Sequence, residues 1–247
     1  MQGASRFPLL ALLLCLPSGA APARGDANWE FGAAVSCRVG DYGGAADETE
    51  FYLPFTLKRF FPRGDLALTV PALDVQSDYP DGASESGVGL GDAVLRGRCY
   101  AVAQKGPWPY VDVVGRMKAP TADESEGLGT GEPDFGAGVE VSRWLGFSRF
   151  VFLDLLYNFI GDPPDMEYDD QRVASLGIGW QASPRLQASI SYDYRSAIDP
   201  ADEAARSIGI AISGRIERAL RVYGVVEAGL SDGAPDLAWT IGSAVRF

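Results

Sequence analysis

Apolar residues recur at every second position through most of this chain. Among the last eleven residues, Leu237, Trp239, Ile241, Val245 and Phe247 share one parity, with Ser243 the single break. Ala238, Thr240, Gly242, Ala244 and Arg246 share the other. A period of two marks a strand with two unlike faces. The same alternation predicts eleven earlier strands. The first runs from Trp29 to Val39. In the others the apolar parity runs from Phe51 to Leu57, Leu66 to Val70, Ala93 to Ala101, Val111 to Met117, Phe135 to Val141, Val151 to Phe159, Leu176 to Trp180, Leu186 to Tyr194, Ile208 to Ile216 and Leu220 to Leu230. Pro54 and Pro71 fall inside the second and third strands. Proline removes a ladder donor, so a bulge or a shorter strand is expected there, with ten strands as the fallback count. In the seventh strand Phe150, Phe152 and Leu156 make the second face apolar as well.

Charge separates the two faces. A lysine or arginine facing the middle of a bilayer costs about 2–4 kcal/mol, and the apolar parity carries none. Charges sit on the other parity, among them Arg96, Arg98, Asp112, Arg116, Lys118, Glu140, Asp154, Arg195 and Glu227. Connections alternate in character. Those at 41–49, 74–88, 119–133, 161–171, 196–206 and 231–236 are mostly long and rich in Asp, Glu, Gly and Pro, while those at 59–64, 104–108, 143–149, 183–185 and 217–219 are short. A terminal strand this apolar cannot remain an open edge, and pairing with the first strand closes the sheet. The pattern predicts a transmembrane antiparallel up-and-down β-barrel of about twelve strands over residues 24–247, with both termini at the tight-turn, periplasmic end. Trp29, Trp108, Tyr110, Trp144, Tyr157, Phe159, Trp180, Tyr192, Tyr194 and Trp239 fit interfacial girdles. The rival is a soluble β-sandwich, whose polar side would be its outside.

Composition agrees with this reading. Mean hydropathy is near zero, too polar for a helical membrane protein and suited to strands with one polar face. Met1 to Ala23 reads as a secretory signal peptide, with Arg6, an apolar core from Leu9 to Leu16, and Ala21-Pro22-Ala23 at the cleavage site. Cys15 follows three leucines and is not read as a lipoprotein cysteine. Of the cysteines left after processing, Cys37 and Cys99 lie on the apolar parity of non-neighbouring strands and are read as small lipid-facing or packed residues, not a disulfide. The net charge of −12 excludes a nucleic-acid partner.

The chain has no histidine. Outer-membrane hydrolases with a histidine base, and metal sites of the His/Cys type, are therefore disfavoured. No catalytic residues, cofactor or metal are expected. Asp162, Asp165, Glu167, Asp169 and Asp170 form the densest acidic cluster, but no spacing matches a calcium loop. They read as a solvated rim meeting lipopolysaccharide through divalent cations. The nine charged residues named above are the candidate lumen or pore-lining set. They could line a small pore and set its ion preference, or pair and fill the interior. Near balance of sign favours extensive pairing with at most a narrow path.

Two stretches are distinctive. Gly87 to Asp92 reads GVGLGD, and Lys118 to Asp134 reads KAPTADESEGLGTGEPD. Their glycines are expected to permit tight entries from loop to strand, and neither stretch has dinucleotide-fingerprint spacing. With the terminal Phe247, they resemble the outer-membrane β-barrel transporter-like family linked to meta-cleavage phenol-degradation operons. This chain has Ala122-Asp123 where that family usually has Gly-Asp. A free aromatic carboxy-terminus also resembles the signal read by the barrel-assembly machinery. The resemblance implies an outer-membrane barrel of a Gram-negative cell that passes hydrophobic compounds. The sequence-level expectation is a passive outer-membrane channel for small molecules, hydrophobic ones among them, in contact with outer-membrane lipid and lipopolysaccharide. The alternative is a closed barrel with a structural or surface-interaction role through its acidic loops. An enzyme is the least favoured class.

Overall fold

The computed structural model describes residues 28–164 and 166–247. The signal segment, Cys15 and Asp165 lie outside the described residues. The strands are β1 (Trp29–Gly40), β2 (Asp47–Phe61), β3 (Gly64–Asp78), β4 (Ser84–Leu90), β5 (Ala93–Val102), β6 (Tyr110–Ala119), β7 (Asp134–Leu145), β8 (Arg149–Phe159), β9 (Gln171–Ser183), β10 (Leu186–Arg195), β11 (Ala205–Arg215), β12 (Leu220–Gly229) and β13 (Leu237–Arg246). Twelve of them form a closed antiparallel barrel. The thirteenth, β4, pairs only with the outer part of β3.

The terminal strand closes the barrel as its alternation requires. β13 pairs with β1 from Glu30↔Arg246 to Val39↔Leu237. Past the register, Trp29 and Phe247 exchange backbone hydrogen bonds, each N–H donating to the other's carbonyl at 2.9 Å. Closure leaves no unpaired barrel edge.

The two parities separate cleanly. Leu176, Ile210 and Phe135 are 59, 54 and 52% exposed on the outer face, while Glu50, Asp65, Lys118 and Asn158 are buried on the inner one. A continuous apolar belt of this extent is stable only against lipid, and it excludes the sandwich, whose exposed face would be the polar one. Trp29, Trp180 and Tyr192 lie exposed on the outer face. Trp144 and Tyr110 do not belong to a girdle. Both lie on the inner parity, where the Trp144 ring packs 5.1 Å from Phe150 and its backbone is clasped by Gln104 at 2.9 and 3.2 Å. Cys37 is buried, Cys99 is exposed, and both are free thiols.

The prolines do not shorten their strands. β2 and β3 are each 15 residues long, and Pro54 lies directly opposite Pro71. Pairing between β1 and β2 lapses between Ala33↔Phe55 and Ser36↔Tyr52 without a change of register, around the donor that Pro54 lacks. Pro71 sits where β3 exchanges one partner for another. β3 pairs with β5 up to Thr69 and with β4 from Ala72 onward. Each proline thus occupies a position where the ladder needs no donor.

The apolar inner face of β8 also has a physical reason. Phe150 lies opposite Gly179 and Phe152 opposite Gly177, and each ring covers the glycine where a Cβ would stand. Leu156 lies opposite Gly138, and Tyr223 covers Gly242 in the same way. Large side chains thus lie flat on the wall instead of projecting to the barrel axis. Gly179→Ala places a methyl into the fully buried Phe150 ring. It is expected to cost about 1–3 kcal/mol by overpacking, read as a lower urea midpoint for the barrel refolded in vesicles.

Candidate functional site

The candidate site is the lumen. The structure places all nine sequence-nominated charged residues on the inner parity of β5, β6, β7, β8, β10 and β12. It groups them unevenly. Arg98 is the centre of one cluster. It donates to Asp65 from Nε and Nη2 at 2.9 and 2.7 Å, reaches Glu140 at 3.3 Å and lies 4.0 Å from Asp112. Tyr100 adds a hydrogen bond to Asp65 at 2.8 Å. Arg96 is directly opposite Arg116, a like-charge pair, and its guanidinium turns to Glu140 instead. Arg116 lies in the field of Asp134.

Carboxylates continue around the wall. Asp112 faces Glu140, Glu140 faces Asp154, Asp154 faces Ser175, and Ser175 faces Asp193 across successive strands. Asp193 accepts hydrogen bonds from Ser175 and from Ser191, the latter at 2.7 Å. A second cluster joins the far side. Arg38 donates to Glu50 at 3.2 Å, and Arg195 lies in the combined field of Arg38 and Glu227. Much of the inner wall is therefore a set of ion pairs and hydroxyl-bonded acids held against the strands.

The mouth at the loop end is more elaborate than the sequence reading allowed. The stretch 74–88 is not one loop. β3 continues to Asp78 and β4 returns beside it, so GVGLGD lies mostly within a strand. Val88 and Leu90 face outward, 69 and 61% exposed. Gly87 and Gly89 present a bare inner surface opposite Val75 and Leu73. The 120–133 loop lies on that surface. A Cβ on Gly89 would stand 2.7 Å from the Leu128 Cδ1, and one on Gly87 would collide with the Glu126 carbonyl. Leu128 is buried in a cluster with Tyr52 and Leu73, flanked by Val75 and Ala122. These glycines are required for close approach, not for tight entry into a strand. The two stretches singled out in the sequence are thus parts of one contact.

Polar bonds fasten the loop at its base. Lys118 Nζ sits 3.2 Å from Asp92, 3.1 Å from Asp134 and 2.9 Å from the Thr130 hydroxyl. Asp92 Oδ1 accepts from the backbone N–H of Thr121 and Ala122, both at 3.0 Å. The Thr121 hydroxyl donates to the Gly91 carbonyl at 3.2 Å and accepts from Ala93 N–H at 2.8 Å. A short 3-10 turn, Glu124–Glu126, forms the tip. It ends on Gly127, whose left-handed φ of 70° disfavours other residues. Asp123 caps this turn by accepting from Ser125. The Ser125 hydroxyl and N–H hold its carboxyl below the usual range. The cap is therefore in place at neutral pH and weakens as pH falls through that lowered value.

Sequence reasoning nominated Lys118 and counted Asp92 among the inward charges, but missed Thr121, Leu128, Tyr52 and Leu73. The available signal was the alternation Gly87, Val88, Gly89, Leu90, Gly91, a strand with one face stripped bare. The acidic residues at 160–170 build turns. Asp162 accepts from Tyr168 N–H at 2.8 Å, and Asp170 accepts from the Tyr157 hydroxyl at 2.9 Å and Ile160 N–H at 3.2 Å. Among the described residues no three such side chains converge as metal ligands would.

No protein-family model matches the chain, and no curated protein matches it. Solved structures do. An outer-membrane channel from Pseudomonas putida F1 superposes with a TM-score of 0.78 at 15% identity, covering 93% of this chain and 98% of that one. The fold is that of outer-membrane β-barrels. NanC porin gives a TM-score of 0.57 at 9% identity, over 88% of this chain and 100% of its own. The CymD monoaromatic hydrocarbon channel gives 0.52 at 10% identity, over 91 and 90%. The shared feature is a closed antiparallel barrel.

Proposed function

We propose that this barrel is a passive outer-membrane channel for small molecules, hydrophobic aromatic compounds among them, gated in width by the inward 120–133 loop. The carrying observation is the arrangement of the inner wall. Phe150, Phe152, Leu156 and Tyr223 lie over glycines, and Arg38, Arg96, Arg98 and Lys118 are held in ion pairs against the wall, which supports an interior that is lined, not packed solid from wall to wall. Twelve strands stand between small barrels filled by their side chains and porins with open channels. The aromatic-channel fold neighbour and the motif resemblance support the cargo class. On this reading the leader is removed on export and both termini face the periplasm. Phe247 is presented to the assembly machinery, and the acidic loops meet lipopolysaccharide.

The loops at that end carry acids and no Lys or Arg between the strand ends. Such a rim concentrates cations and repels anions. Planar-bilayer recording on refolded protein is expected to show discrete steps with a cation-favouring reversal potential that weakens as salt rises. Vesicles carrying the protein should take up a neutral phenol faster than its carboxylate analogue. Absence of any current or uptake would favour a closed barrel acting through its loop surface.

A further inference from the structure

A concave groove of about 1070 Å³ crosses the outer surface of β3, β5, β6 and β7, from the β2–β3 turn at one end to Met117 and Phe135, close to the 120–133 loop, at the other. Its floor is a cross-strand row of small residues. Gly97 lies opposite Gly115, and Gly115 opposite Ala137. Nothing lies within 4 Å of a Cβ built on Gly115, and only Leu66, at 3.7 Å, approaches one on Gly97. Exposed Leu66, Val113, Met117 and Phe135 stand around this floor. On β9 and β11 the outer face carries exposed Leu176, Ile178, Ile208, Ile210 and Ile212, whereas this row of small residues leaves a depression.

The groove ends at the β2–β3 turn, where Phe61, Pro62 and Arg63 complete its lining. Arg63 is exposed. Beside it, Arg59 holds its guanidinium 5.1 Å from the Trp29 ring and 5.2 Å from the Phe61 ring. The remaining tight turns also carry basic residues, Lys105, Arg185 and Arg218, against Glu217 alone. Along β5 the groove extends from Cys99 to Leu95, a rise of roughly 13 Å. One leaflet of hydrocarbon is about 15 Å thick. An apolar trough with cations at its tight-turn end matches one ligand chemistry.

We propose that this groove binds a phospholipid of the periplasmic leaflet, with an acyl chain over Gly97 and Gly115 and an anionic headgroup on Arg63 and Arg59. The site is independent of whether the lumen conducts, and rests only on the outer face being wetted by lipid. A bound lipid fills the depression that the glycines leave in the wall, and its phosphate accepts charge-assisted hydrogen bonds from the two guanidinium groups.

The test is native mass spectrometry of the refolded mature chain, released from detergent after incubation with phosphatidylglycerol, phosphatidylethanolamine or lipid A. Wild type should retain one phosphatidylglycerol, roughly tenfold better than phosphatidylethanolamine or lipid A. Gly115→Leu, which fills open space, should lower retention of phosphatidylglycerol and phosphatidylethanolamine alike. Gly97→Leu serves as the second filling variant, and heat-modifiable migration in gels reports that each has folded. Arg63→Ala should erase the headgroup preference while leaving acyl binding. Equal retention by wild type and both filling variants would overturn the site. So would stronger retention of lipid A, or a dimer that Gly115→Leu splits, which would make the groove a contact between copies. Wild type that folds in plain buffer would instead overturn the barrel's lipid-facing assignment itself.

Discussion

Arg98→Met is expected to destabilise the barrel by about 3–5 kcal/mol, the cost of leaving a buried ion without its partner. The Asp65 side chain is fully buried and that of Arg98 is 7% exposed. Arg98 supplies two of the three hydrogen bonds to that carboxylate, with Tyr100 supplying the third. Glu140 keeps Arg96 when Arg98 is lost, so the penalty falls on Asp65, which is left with the Tyr100 hydroxyl and the more distant field of Lys58. Urea unfolding of vesicle-embedded protein reads the loss. Adding Asp65→Asn in the Arg98→Met background should recover part of it, because an amide requires no counter-charge, while buried Lys58 loses the field of Asp65. A cost below about 1 kcal/mol, the range of solvent-exposed pairs, would mean that water reaches Asp65 freely and that this wall is not packed as described.

Deleting residues 123–132, or introducing Leu128→Asp, is expected to raise single-channel conductance roughly twofold or more by removing the inward constriction. In the structure Leu128 sits in an apolar seat formed by Tyr52 and Leu73. A carboxylate cannot enter that seat without a burial cost of several kcal/mol, so the Asp variant should release the loop while the barrel remains folded. Lys118→Met should act more weakly. It removes the bridge between Asp92 and Asp134 but leaves the Asp92 bonds to Thr121 and Ala122 N–H. The expected record is a noisier current with longer open periods. Unchanged conductance in all three variants would show that the 120–133 loop lies beside the permeation path and not across it.

Most of the barrel could be read from parity alone, because lipid on one side imposes a rule with few exceptions. Ile208, Ile210 and Ile212, for example, alternate with Gly209 and Ala211 and leave one assignment of faces. Parity failed where something other than lipid or water covers a face. Trp144 reads as an interfacial aromatic until Phe150 and Gln104 are seen to enclose it. Gly87 and Gly89 read as a tight entry from loop to strand because their partner, Leu128, is 39 residues away from Gly89 and is brought there by tertiary structure. Pro54 and Pro71 read as breaks because the compatibility of a proline depends on which neighbour its nitrogen would have served. The charged lumen residues could be nominated individually. Their grouping around Arg98, Lys118 and Arg38 depends on strand stagger, which no single strand encodes.

The assignment of faces is tested most directly by two cysteines one residue apart on β10, Ile190→Cys and Ser191→Cys, in a background with Cys37 and Cys99 replaced by serine. Ile190 is on the outer face, and Ser191 on the inner one, bonded to Asp193. A small charged thiol reagent added to protein refolded in vesicles should label Ser191→Cys and leave Ile190→Cys unreacted. Bromine-labelled acyl chains should quench a fluorophore only at position 190. Labelling of Ile190→Cys with protection of Ser191→Cys would contradict the account, since the apolar parity would then face water and the charged parity would enclose no accessible lumen.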